Sequence, residues 1–170
     1  MQRIALIISL ILIPVTLTYG QGSVDNTFKK YSGLEGITSL QISGNMFKML
    51  ADMDTSDEDL KNIAGSVTSV QIIHASGNLV KEYDLDFYNE VLHDLPVKNY
   101  QELMRVNSSG QQVLFLVDEL NGSVKELILL VGGGSDNALI CIKGNIEMNK
   151  LSSLAGISAP GMDQLVKLEK

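Results

Sequence analysis

Residues 112–143, QVLFLVDELNGSVKELILLVGGGSDNALICIK, decide the fold. Three apolar runs of strand length, Gln112–Val117, Val124–Val131 and Ala138–Lys143, are dominated by Val, Ile and Leu. Asn121-Gly122-Ser123 separates the first pair and Gly132-Gly133-Gly134-Ser135-Asp136-Asn137 the second. Asn-Gly accepts the positive φ of a tight hairpin turn, so the pattern predicts an antiparallel meander. Upstream, Tyr100–Val106 reads as extended and Asn107-Ser108-Ser109-Gly110 as a further turn.

The first half has a helical period. In 79–95, Leu79, Tyr83, Phe87, Val91 and Leu95 are spaced by four, with Tyr88 and Leu92 beside them, and Pro96 ends the pattern. Val67–Ile73 is rich in β-branched residues and predicts a strand. A helix is expected from Asp57, with Ser56 as N-cap, Asp59 three residues on, and Leu60, Ile63 and Ala64 on its apolar side. Met46, Met49, Leu50 and Met53 fall at i, i+3, i+4 and i+7 and predict a helix over about 46–53. Ile37–Ser43 reads as a short strand broken by Gly44-Asn45, and Gln21–Lys30 as a polar lead-in. At the other end, 147–154 is expected to be helical, and 156–161 leads to a charged tail.

These elements predict an α+β domain, a mainly antiparallel sheet with helices packed on one face, in a ferredoxin-like or related split arrangement. Segments 40–46 and 140–146 echo each other as strand, Gly-Asn and a following apolar stripe, which could mark a duplicated half or two similar turns.

Arg3, the apolar run to Leu17 and Thr18-Tyr19-Gly20 read as a secretory signal peptide. Small residues at Thr18 and Gly20 suit signal peptidase and place cleavage after Gly20. The apolar core, interrupted by Pro14, is shorter than the roughly 20 residues that span a bilayer. The expected organisation is a signal peptide over 1–20, a polar lead-in over 21–35, one α+β domain over 36–156 and a tail over 157–170. After Gln21 no apolar stretch approaches spanning length. The expected location is therefore periplasmic or extracellular, as a soluble protein.

Loss of Arg3 lowers the basic residues from 13 to 12 against 20 acidic ones, a net charge of −8. Such a surface repels nucleic acid and anionic headgroups, and argues against nucleic-acid binding. Cys141, the single cysteine, can form no intramolecular disulfide and no cysteine-based metal cluster.

Candidates for chemistry are few. The acidic run Asp52, Asp54, Asp57, Glu58, Asp59 fails the calcium-loop pattern, with Asp57 at the glycine position and Ile63 at the closing glutamate, and suits a helix N-terminus better. His74 and His93, with Asp84, Asp86 and Asp94 near in sequence, lack any HxH or HExxH spacing. Cys141 lies between Ile140 and Ile142 and reads as a small buried hydrophobe. Gly132-Gly133-Gly134-Ser135 lacks the lysine and helix start of a phosphate loop and reads as a hairpin loop. Met46, Met49 and Met53 could form an adaptable docking face, but their spacing is that of a core-facing helix, which is the expectation here. No catalytic residue, cofactor site or metal site is assigned.

Segments 36–43 (GITSLQIS), 46–50 (MFKML), 70–73 (VQII), 100–106 (YQELMRV), 125–131 (KELILLV) and 140–146 (ICIKGNI), taken in order, resemble domain-of-unknown-function family 4252, exported envelope proteins of Bacteroidota-type bacteria. The resemblance spans most of 28–154 and implies an exported α+β domain without an assigned activity. Members often carry a lipoprotein signal, whereas Gly20-Gln21 stands here where the lipidated cysteine would be. The expected function is a non-catalytic envelope or periplasmic module that binds a protein or envelope component through its sheet or a helix face. The alternatives are a small hydrolase using Asp and His from loops, and a carrier of an apolar ligand.

Overall fold

The computed structural model describes residues 22–53, 61, 63–148 and 150. Its elements are α1 (Ser23–Tyr31), β1 (Thr38–Ser43), α2 (Gly44–Met53), β2 (Val67–Ser76), α3 (Asn78–Glu82), α4 (Phe87–Asp94) and a 3-10 turn (Val97–Asn99). The strands β3 (Gln101–Ser108), β4 (Gln111–Leu120), β5 (Ser123–Gly132) and β6 (Asp136–Glu147) follow. All six strands form one open sheet, in the order β1-β2-β6-β5-β4-β3, with every neighbouring pair antiparallel. The expected meander is β3 to β6, and Asn121 and Gly122 take positive φ at its central turn. A ferredoxin-like arrangement would place a strand between two that a helix joins. Here β1 and β2, joined through α2, are direct neighbours.

Both faces of the sheet are buried. On one face, Ile73, Leu114, Ile128, Leu130, Leu139 and Cys141 pack beneath α1, α3 and α4. On the other, Val70, Val117, Leu127, Leu129, Ile140 and Ile142 share a core with Phe47 and Ala51 of α2 and with Ile63 and Ala64. Leu127–Val131 is buried at every position, which explains why that run does not alternate. The expected α+β class and antiparallel sheet are those observed. Three of the four described α-helices lie on one face, and α2 takes the other.

Two elements correct the reading of the first half. Residues 23–31, expected as a loose lead-in, form α1. Val24, Thr27, Phe28 and Tyr31 fall at i, i+3, i+4 and i+7 and are all buried. Glu90 of α4 fixes this helix by accepting hydrogen bonds from Tyr31 Oη (2.7 Å) and Lys30 Nζ (3.0 Å), while the Tyr31 and Phe87 rings meet at 5.0 Å. The single helix expected over 79–95 is two helices. The chain turns at Asp84, with φ of 50°, and Asp86 caps α4 by accepting from Asn89 N–H at 3.0 Å. That break lets Leu85 and Phe87 both enter the core.

At the C-terminal end β6 continues as strand to Glu147, where a helix was expected to begin; 151–154 lie outside the described residues. So do 54–60, which hold most of the acidic run and the start of the helix expected from Asp57.

The Gly-Asn echo has a packing cause. Gly44 opens a helix, whereas Gly144 and Asn145 remain inside β6. The two flank the same point from opposite sides, because β1 and β6 are the two neighbours of β2. A Cβ on Gly44 would lie 2.3 Å from Val67 O, and one on Gly144 would lie 2.3 Å from Ser66 O. Asn145 N–H also donates to Ser66 O at 2.8 Å, beside the register shift between Val67 and Ser69. Gly44→Ala and Gly144→Ala should each lower unfolding free energy by roughly 1–3 kcal/mol in urea titrations, since backbone rather than a side-chain tip must yield. Gly33→Ala, with open space at its Cβ, should stay within about 0.5 kcal/mol of the parent.

Candidate functional site

The helix-bearing face holds a polar cluster at one side of its core. Glu126 of β5 accepts from Tyr100 Oη through Oε2 and from Cys141 Sγ through Oε1 at 3.1 Å. Lys143 Nζ lies 3.6 Å from the same Oε1 and donates to Asp25 Oδ2 of α1 at 2.8 Å. The sheet register makes this meeting necessary, because Glu126 pairs directly with Lys143. Sequence reasoning missed the group, although strand parity carried the signal: Glu126 alternates with Ile128 and Leu130, and Lys143 with Cys141 and Leu139, all facing one core.

Burial, and then the Glu126 carboxylate, push the Cys141 thiol well above its ordinary pKa. Burial, followed by its bond to Glu126, raises Tyr100 likewise. For Lys143, burial works downward but is outweighed by the Asp25 bond and by the nearby Cys141 and Glu126, so its pKa is raised. A thiol held protonated is a poor nucleophile. The cluster therefore ties α1, β5, β6 and the start of β3 together, and Cys141 is buried as expected, with a carboxylate for company.

The remaining chemical candidates do not converge. His74 shares the parity of Val70 and Ile72, on the α2 face. His93 belongs to α4 on the opposite face, 86% exposed and bonded to the adjacent Asp94 at 2.7 Å. Among the described residues no group of three or more His, Cys, Asp or Glu side chains is placed to share a metal ion. The β5–β6 turn falls where it was expected but is shorter, 133–135, because Gly132 ends β5 and Asp136 and Asn137 open β6. Asn137 Oδ1 accepts from Phe87 N–H at 3.2 Å and ties the strand to α4. An open cleft of about 400 Å³ lies beside the start of α2. Among the described residues of its lining Lys48 is the single charged one, so these offer no acid–base pair.

The methionine helix departs from expectation. α2 turns Phe47 and Ala51 inward, and leaves Met46, Met49, Leu50 and Met53 on the surface. Met49 is 51% and Met53 73% exposed, so the stripe is not core. Two apolar faces compete on this short helix, and the one bearing the aromatic ring and the small alanine fits against β2. Beside it runs β1, an edge strand with Leu40 45% exposed. Leu40 and Ile42 share the parity of Ile72 and Val70, so strand and helix offer one apolar surface on the same face.

The two sheet edges differ in kind. β3 carries a register shift between Glu102 and Met104 and an ion pair between Arg105 and Glu102 at 2.6 Å, with Arg105 Nη1 also donating to Tyr88 Oη at 2.8 Å. Bulges and charges are the devices by which edge strands resist pairing. β1, TSLQIS, has no charge, no proline and an unbroken register with β2.

A family model described as Domain of unknown function (DUF4252) matches residues 31–154. The chain belongs to this family. The DUF4252 span contains all six strands, α2, α3 and α4, the edge just described and, from the polar cluster, every member but Asp25. Most of α1 precedes it. No curated protein and no solved structure matches the chain.

The protonated cluster gives this DUF4252 domain an alkaline limit. Cys141 and Tyr100 have folded pKa values above their ordinary 9.0 and 10.0, so the folded state holds more protons at high pH. The stability these two groups contribute is fully present below pH 9 and is lost as pH rises past that value. Urea midpoints measured from pH 7 upward should stay level and then fall above pH 9. In Cys141→Ala the fall should begin later, near the ordinary tyrosine value of 10.0.

Proposed function

We propose that this DUF4252 chain is an exported, non-catalytic interaction module of the envelope or periplasm, and that it docks through the β1 edge and the methionine stripe of α2. The observation that carries the reading is the exposure of Met46, Met49, Leu50 and Met53 beside an edge strand with no protective charge or bulge. Methionine is flexible and polarizable, and suits surfaces that adapt to a partner. Full burial of one such side chain contributes on the order of 1.5–3 kcal/mol, so the stripe with Leu40 can anchor a complex. An edge strand adds main-chain hydrogen bonds to that apolar contact.

Export rests on the leader-like stretch from Arg3 to Gly20. Among the described residues no helix is long and apolar enough to cross a membrane. The hydrolase alternative needed both histidines and two carboxylates in one cleft, whereas His74 and His93 belong to opposite faces. The carrier alternative needed an internal cavity beside the methionines, which instead face outward.

Affinity capture from envelope extract with the tagged chain should retain a stoichiometric protein, and Met49→Lys should lose it while keeping the parent's circular dichroism. Equal capture by both proteins would remove the α2 surface from the reading. Turnover in a broad hydrolase screen, abolished by one point substitution, would remove the non-catalytic assignment. Protein recovered from the envelope fraction should begin at Gln21, as N-terminal sequencing would establish.

A further inference from the structure

We infer that the occupant of the β1–α2 surface is a second copy of this chain, joined through antiparallel β1–β1 pairing about a two-fold axis. The inference rests on the docking reading above and names its partner.

The strand fits itself. A two-fold axis normal to the sheet keeps each face on its own side, so paired residues must share parity. Centred on Gln41, the seam sets Leu40 of each copy opposite Ile42 of the other, on the α2 face. Gln41 then meets Gln41, and Ser39 meets Ser43, on the other face. Over 39–43 every apolar side chain meets an apolar one and every polar side chain a polar one. A strand from another protein would have to bring the same alternation.

The helix lies on the same side of the seam. α2 packs chiefly on β2, with Ile42 of β1 joining the same core, so closing the strand seam places the two methionine stripes on one face, flanking Leu40 and Ile42.

Charge permits the contact. The whole chain carries −7, which opposes self-association over most of its surface. β1 carries no charge, and in α2 Lys48 and Asp52 cancel. Along β1 itself that repulsion is absent, and the acidic residues Asp54, Asp57, Glu58 and Asp59 follow only after α2 in sequence. The opposite edge, with its bulge and its Glu102–Arg105 pair, lacks this self-fit.

Sedimentation velocity on the full chain should give a particle of twice the chain mass. Leu40→Lys and Met49→Lys each place two like charges across the axis and should weaken self-association at least roughly 100-fold. Both residues are exposed, so the unfolding midpoint should hold. Leu103→Lys, at the exposed β3 edge, should leave the dimer intact. Gln41→Cys should form an intermolecular disulfide on mild oxidation, because Gln41 pairs with itself, and Leu103→Cys should not. A parent chain that stays monomeric at every concentration overturns the inference. So does a dimer that survives Leu40→Lys and Met49→Lys, or one that Leu103→Lys dissolves, or one in which Gln41→Cys fails to cross-link. A monomeric parent whose captured protein is still lost on Met49→Lys would leave the docking reading standing and remove only the second copy.

Discussion

The structure depends on burying a sheet whose central strands are apolar on both sides. In β5, Leu127, Leu129 and Val131 face one core while Ile128 and Leu130 face the other, and β6 repeats the arrangement with Ile140 and Ile142 against Leu139 and Cys141. Strands of this kind cannot leave one face to water, because each exposed Leu or Ile forgoes on the order of 1.5–3 kcal/mol. Helices must therefore stand on both sides. α1, α3 and α4 serve one face, and α2 with Ile63 and Ala64 serves the other near β2.

Placing α2 at the margin has consequences for the surface. A ten-residue helix over the outermost strands buries one narrow side, and Phe47 and Ala51 fill it. Its second apolar side faces outward beside β1. The edge strand on this flank stays regular because Gly44 lets the chain pass from β1 into α2 against the backbone of β2. Close packing around one glycine, a regular edge and an exposed methionine stripe are thus parts of one local arrangement.

Polar groups do different work on the helix-rich face. Glu90 gathers Tyr31 and Lys30 between α1 and α4, and Glu126 gathers Tyr100, Cys141 and Lys143 where β5 and β6 meet α1. Each carboxylate has several donors, which offsets the cost of taking a charge out of water. The thiol and phenol beside Glu126 keep their protons, so this cluster orients elements and is unsuited to nucleophilic attack.

The order of residues alone determined the α+β class, the β3–β6 meander and its turns, because Asn121-Gly122 and the flanking apolar runs act within a few residues of each other. It also held the period of α1 in Val24, Thr27, Phe28 and Tyr31, which the surrounding polar residues obscured. It could not split 79–95, since both halves share one four-residue spacing, and the turn at Asp84 with the Asp86 cap, between two core-facing residues, breaks them. Strand order, the meeting of Glu126 with Tyr100, Cys141, Lys143 and Asp25, and the outward turn of the methionines were decided by tertiary structure. Helical periodicity shows that a stripe exists, but not which of two apolar stripes faces the sheet. Shape at the contact makes that choice, and here the smaller Ala51 and the ring of Phe47 took the inner place.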